Sequence, residues 1–451
     1  LEPYYREKTN YGIMIKCANS SRRIIYRKTT KILALTLYGC VAMSNFNANA
    51  LSISKVEVIN VKDYGVVGDG ITDDTDSIQH ILNRAQGKIV FFPISKNHYL
   101  IKKPLLLKSS TSIKGESDTG SKIIQTTWGM PAFEIYNEDS CLIENLLIKY
   151  EGNRLNISGG YRGNNKSSYC AGVYLNGHNS AINNVNIEGF VCGVFLTNYN
   201  LDNTNSFQTL AKNNIVRDIN VNKVDFGVLI TGQIDLEIEN IYGTCEQSQK
   251  LHPSHLVYVG GKTERAIIKN CYANNINSGA AFQFRMLNNS FIYNLNAESC
   301  SGIVSIIDCK NNTLQKIRSI LDTSPNYSFY FQRGKLGSYN NTIDSLFIHK
   351  SATGSVHAIS IDGQENVIKN VHIFLPKVFK SSVINRINGG KRNQVLNWRI
   401  DLDSNKEVGT MLKIRAGHHH VVKRIEASNF GLLIQVHPQS QNNEIDIMDI
   451  P

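Results

Sequence analysis

The stretch Cys245-Glu-Gln-Ser-Gln-Lys-Leu-His-Pro-Ser-His-Leu-Val-Tyr258 gathers Glu246, His252, His255 and Tyr258 around one proline. Imidazoles take up and return protons near neutral pH, and a carboxylate beside them adds a second proton-transfer group. Downstream, six short apolar runs end in charge. Arg285 closes Phe282-Gln-Phe-Arg285, Asp308 closes Ser305-Ile-Ile-Asp308, and Arg333 closes Phe331-Gln-Arg333. Asp362, Arg386 and Arg415 close the runs beginning at Ile359, Val383 and Leu412. Arg285 and Asp308 align, since Asn-Asn-Ser and Asn-Asn-Thr follow them at the same offset. If the runs stack, the expected edge is Arg-Asp-Arg-Asp-Arg-Arg. It reads either as a structural row of ion pairs or as a track for an acidic polymer.

Removing the proton beside a uronate carboxyl needs a base and a cation to stabilise the anion that forms. On this reading His252 or His255 moves the proton and Arg285 neutralises the carboxyl. Glu246 and Asp308 complete the expected catalytic set. Tyr258, Gln283, Arg333, Asp362 and Arg386 are the expected substrate contacts. Hydrolysis would instead use two carboxylates, Glu246 with Asp308 or Glu298. The competing structural reading of the His-Pro loop is turn and edge packing.

Other polar clusters read as structure. Asp69, Asp73, Asp74 and Asp76 lack the alternate-residue spacing and closing Glu of a calcium loop, so a turn and helix cap is expected. Calcium is compatible but not signalled, no cofactor is required, and no metal ligand set is expected. His418 and His420 fit a solvated turn. The nine cysteines include no C-x-x-C, so zinc is not signalled. Cys170 and Cys192 precede similar runs and read as stacked thiols or, in an oxidising compartment, a disulfide.

The elements that must carry these residues form a repeat. Gly172–Ile187, Gly227–Ile241, Ala281–Leu295, Ile359–Ile373 and Leu412–Ile425 each hold a short alternating strand, a polar turn and a second strand. Units this short bury an apolar face only by stacking on neighbours. Asn at the turns tolerates left-handed backbone and can bond to the next rung. With 9 Pro against 33 Gly, few inter-rung hydrogen bonds are deleted. The expected fold is all-β, a right-handed parallel β-helix (solenoid). A short N-terminal capping helix should begin at Thr72-Asp-Asp-Thr75, with Ile78, Ile81, Leu82 and Ala85 facing the core.

The segment Val61-Lys-Asp-Tyr-Gly-Val-Val-Gly-Asp-Gly-Ile-Thr-Asp-Asp-Thr-Asp-Ser-Ile-Gln79 resembles the N-terminal signature of the pectate-lyase-like superfamily. The rhamnogalacturonase/epimerase-like group is the most similar, and Ile89–Pro93, Tyr99–Ile101 and Thr111–Gly115 are similar to its next rungs. The usual Gly before the Tyr is replaced by Ser95-Lys-Asn-His98. The resemblance covers about residues 58 to 125 and implies the β-helix fold. It leaves the reaction open among lyases, hydrolases, epimerases and phage tailspikes. The paired-Asp strand motif and Gly-His-Gly of polygalacturonase-type hydrolases are missing.

The 451 residues carry a net charge of +11 and 19% charged residues against 41% hydrophobic ones, which excludes a disordered polyelectrolyte. Residues 1–50 hold eight basic and two acidic residues. Basic residues from Arg22 to Lys31 precede the apolar run Ile32–Met43, and Ala48-Asn-Ala50 follows, as in a bacterial-type secretion signal. Met14 is the expected start. The expected division is an upstream segment and signal peptide (1–50), a cap with the first rungs (51–128) and the remaining rungs (129–451). The mature protein is expected to be secreted, periplasmic or on the cell surface, a monomer rather than a trimer. Its expected partner is an acidic polysaccharide, with no nucleic acid and no stable membrane insertion. The expected function is β-elimination or epimerisation at a uronate. The rivals are a glycoside hydrolase and a non-catalytic carbohydrate-binding solenoid.

Overall fold

The computed structural model describes residues 8–9, 12–13, 56–154, 170–198, 210–246, 253–323, 326–332, 334–351, 356–375, 383–402, 410–428 and 434–446. Leu1–Lys55 is a separate unit, in which Lys8–Thr9 pairs antiparallel with Gly12–Ile13. The expected signal peptide otherwise lies outside the described residues.

From Val56 onward the chain winds as a right-handed parallel β-helix, in which each strand pairs in parallel with its equivalent one turn later. One wall holds long strands such as Leu142–Tyr150, Ala181–Glu188 and Ile267–Asn274. Each is bent at one or two residues with φ between 52° and 62°, among them Asn145, Asn184, Asn270 and Asn370. Asn tolerates this left-handed backbone. Its amide also bridges rungs: Asn184 Nδ2 donates to Asn145 Oδ1 at 2.9 Å and Asn294 Nδ2 to Asn270 Oδ1 at 2.9 Å. The bend turns both halves of the strand toward one interior. Ile143, Ile182, Val216, Ile238 and Ile268 stack there in register, fully buried. Each such side chain contributes about 1.5–3 kcal/mol on burial.

A second ladder runs inside the solenoid. Asn312, Asn341, Asn366 and Asn393 are buried, and each Nδ2 donates to the next Oδ1 at 2.9, 3.0 and 3.2 Å. This satisfies amides that would otherwise be costly to bury.

The N-terminal helix spans Thr75–Leu82, and Ile78, Ile81, Leu82 and Ala85 join the core. Asp74 does not cap it with its side chain. The Asp74 carboxylate instead accepts from the backbone N–H groups of Val67 and Gly68 at 2.7 and 2.9 Å. Asp73 takes the capping role, accepting from Thr75 N at 3.1 Å. Asp69 accepts from Ile71 N and Thr72 N. These carboxylates hold the turn and the helix start.

The other main wall is a sheet of 13 short strands, from Leu105–Leu106 to Ile434–Val436. It carries the candidate site.

Candidate active site

Alternation decides which residues of the short-strand sheet face outward. Val257, Val259, Phe282 and Phe284 are buried in the core, so Tyr258, Gln283 and Arg285 point out. Pairing then fixes two outward columns. The first runs Tyr258, Gln283, Ser305, Tyr330, Ser360, Arg386 and Lys413. The second runs Arg285, Ile307 and Gln332. Along the same face nearer the N-terminus, Tyr174, Phe195 and Leu229 are buried. The exposed polar surface therefore begins at Tyr258, although Ser305 and Ser360 within the first column are buried.

This geometry corrects the expected charged edge. Arg285 pairs with Ile307, and Asp308 lies one residue further on with φ 53°. Asp308 is 5% exposed, and its carboxylate accepts from the backbone N–H groups of Lys335, Leu336 and Gly337 at 3.1, 2.9 and 2.8 Å. It holds a turn and offers no free oxygen to a sugar. Arg386 pairs with Ser360 and Lys413, so Asp362 and Arg386 occupy different columns. Arg333 and His252 lie outside the described residues.

His255 is corrected as well. It is 1% exposed, beside Phe226 and Tyr258 at ring-centroid distances of 5.9 and 5.1 Å. A carbonyl only accepts, so Nδ1–H donates to the Ala280 oxygen at 2.5 Å and Nε2 keeps its lone pair. Burial drives its pKa down to about 4, with the Ala280 bond opposing in part. A polymer on the outer face does not reach this ring. Glu246 is exposed and follows the long strand Glu237–Cys245. Glu298 accepts from the Tyr272 hydroxyl on the other wall's outer surface. Cys170 and Cys192 are buried free thiols. His420 is buried and His418 lines a turn surface.

The structure gathers a different set further along the same face. A groove of about 520 Å³ is lined by Tyr327, Asp362, Arg386, Asn388, Arg415 and His437, with Ala416 and Gln439. Asn388 Nδ2 donates to Ser360 Oγ at 2.7 Å, tying adjacent rungs under it. Asp362 Oδ1 accepts from Gly363 N at 2.8 Å. The Arg386 guanidinium carbon lies 5.9 Å from the Tyr327 ring centroid, and Tyr327 stacks on His357 at 4.9 Å. Among the described residues, neither Tyr327 Oη nor Arg386 Nε has a hydrogen-bond partner. The attraction between them is one of charge and ring, short of hydrogen-bond geometry. Burial pushes the Tyr327 phenol up, and the Arg386 and Arg415 cations offset this in part. Among the described residues, neither Arg386 nor Arg415 has a carboxylate within 4.0 Å. Sequence reading missed Tyr327, Asn388 and His437, which arrive from connections between strands. The Gln435-Val-His437 ending, after the earlier charged endings, was the available clue.

Residues 58–325 match the family described as rhamnogalacturonase A/epimerase, pectate lyase-like. This chain belongs to that family. The match covers the capping helix and the first half of the outward columns, ending just before Tyr327. Its description names carbohydrate-active enzymes. A curated relative, a non-secreted LysM effector of Penicillium expansum, is 41% identical over 63 residues, 14% of this chain and 5% of that protein. The pre-mature gene product 12 of bacteriophage phi29 has a TM-score of 0.57 at 14% identity, over 93% of this chain and 54% of that one. It shares the fold. The A-module of an Azotobacter vinelandii mannuronan C-5 epimerase has a TM-score of 0.44 at 14% identity, over 87% and 99% of the two chains.

Proposed function

We propose that this family member is an exported enzyme that acts on an acidic polysaccharide by β-elimination or epimerisation at a uronate. The groove around Tyr327, Asp362, Arg386 and Arg415 is its reaction site. The observation that carries the proposal is the pair of arginines without carboxylate partners among the described residues, beside a phenol, a carboxylate and an imidazole. Arg386 and Arg415 receive the uronate carboxylate and stabilise the charge that grows when the adjacent carbon loses its proton. Asp362 or His437 accepts that proton. In elimination, the pair of electrons left behind forms the new double bond, the glycosidic C–O bond breaks, and Tyr327 protonates the departing oxygen. In epimerisation, a proton returns to the opposite face of the same carbon. The protein works as a monomer, with the arginines supplying the positive charge.

The test is incubation with a panel of polyuronates, following ultraviolet absorbance of unsaturated ends and the ratio of epimers. Replacing Arg386 or Arg415 by Gln should lower kcat/KM by about 10²-fold, the loss seen when one transition-state donor is removed. New reducing ends without unsaturation would refute elimination and epimerisation in favour of hydrolysis. Binding of polymer with no chemistry would make the protein a carbohydrate-binding solenoid.

A further inference from the structure

The cations on the two walls are treated differently. On the long-strand wall several are paired: Lys114 with Glu144 at 3.0 Å, Lys269 with Glu237 at 2.9 Å and Lys369 with Asp344 at 3.4 Å. On the short-strand wall, Arg285 has no carboxylate partner among the described residues, although Asp308 is one step from its column. Both Asp308 oxygens are committed to the turn at Lys335–Gly337. Arg285 pairs with Ile307 on one side, and the neighbouring position on the other side, one step past Val259, is Gly260. Neither carries a polar side chain. Arg285 Nε is buried and has no hydrogen-bond partner among the described residues. A buried guanidinium nitrogen without an acceptor costs free energy unless something supplies one.

We propose that Arg285, flanked by Gln283 and Tyr258, is a distal anion subsite that holds a second acidic sugar of the polymer bound in the groove. This rests on the groove reading given above. Gln283, Ser305, Tyr330, Ser360 and Arg386 are consecutive in one column, so four steps separate the two places. At roughly 4.8 Å per step the separation is about 19 Å. An acidic chain lying along the helix axis meets Arg285 at one end and Arg386 and Arg415 at the other. The guanidinium fork suits a carboxylate, and the Tyr258 ring offers an apolar face beside it. The consequence is preference for length: a polymer engages both places, whereas a short oligomer engages one.

Equilibrium binding of polygalacturonate, alginate and trigalacturonate tests this, with neutral dextran as the control. For the wild-type chain, an acidic polymer should bind at least tenfold more tightly per chain than the trimer. Arg285→Gln should lower polymer affinity about tenfold and abolish most of that advantage, and Arg285→Lys should restore part of it. Unchanged thermal unfolding midpoints show that the variants fold. A polymer-to-trimer ratio equal in Arg285→Gln and wild type overturns the distal subsite. If Arg285→Gln weakens binding while Arg386→Gln and Arg415→Gln do not, the groove reading fails and the anion subsite stands alone. No binding of either acidic polymer by the wild type overturns both.

Discussion

His255 provides a sharp test of which side of the wall its strand start faces. The perturbation is acidification, compared between the wild-type chain and His255→Asn. The Asn side chain keeps an N–H that can donate to the Ala280 oxygen but does not titrate. In the folded chain the imidazole has a pKa of about 4, against 6.5 when unburied, because burial penalises the charged ring. Below 6.5 the unfolded chain therefore binds a proton that the folded chain refuses. Stability is full above 6.5 and is lost as the pH falls toward 4. At about 1.4 kcal/mol per pH unit, the loss is roughly 3 kcal/mol. Urea unfolding at several pH values between 7 and 4 measures it. The wild-type midpoint should fall more steeply than that of His255→Asn, and the difference should account for about 3 kcal/mol. His357 and His420 are also pushed down by burial and contribute to both proteins alike. Parallel curves for the two proteins would refute the reasoning. So would titration of the labelled His255 ring near 6.5, which would mean that the ring reaches solvent.

Two further outcomes concern the frame that holds the groove. Lys350 and Asp322 are both 0% exposed, with Nζ 3.3 Å from Oδ1 and 2.7 Å from the Asn326 oxygen, next to Tyr327. Lys350→Met removes the cation beside a buried carboxylate and should destabilise the fold by about 3–5 kcal/mol in urea unfolding, while Lys350→Met with Asp322→Leu should recover most of it. A double variant no more stable than the single one would show that packing, not charge, sets the cost. Gly390 has φ 84°, and an added Cβ would fall 1.5 Å from the Gly363 oxygen. Gly390→Ala should lower stability by at least about 2 kcal/mol through backbone strain and displaced turns, and a cost below 0.5 kcal/mol would contradict the tight stacking.

Much of the architecture was legible in the residue pattern. Asn at many of the bends, alternating apolar runs and the scarcity of Pro all follow from a backbone that stacks on itself, and Ile78, Ile81 and Leu82 mark the helix face by spacing alone. The N-terminal signature pointed to the family that residues 58–325 match. The site was legible only in part. Asp362, Arg386 and Arg415 stood out as charged strand ends, and they do line one groove. Their alignment with Arg285 and Asp308 did not hold, because the connections between rungs differ in length. A slip of one residue exchanges the two faces of a strand. Local pattern places a side chain inside or outside within its own strand. Pairing with the next rung settles which residues meet. Thus Asp308, read as the partner of Arg285, spends its charge on a turn, and His255, read as a proton carrier, lies buried against Phe226. Tyr327 and His437 come from connections whose course depends on the completed stack, so the chemistry at the groove is a property of the assembled rungs.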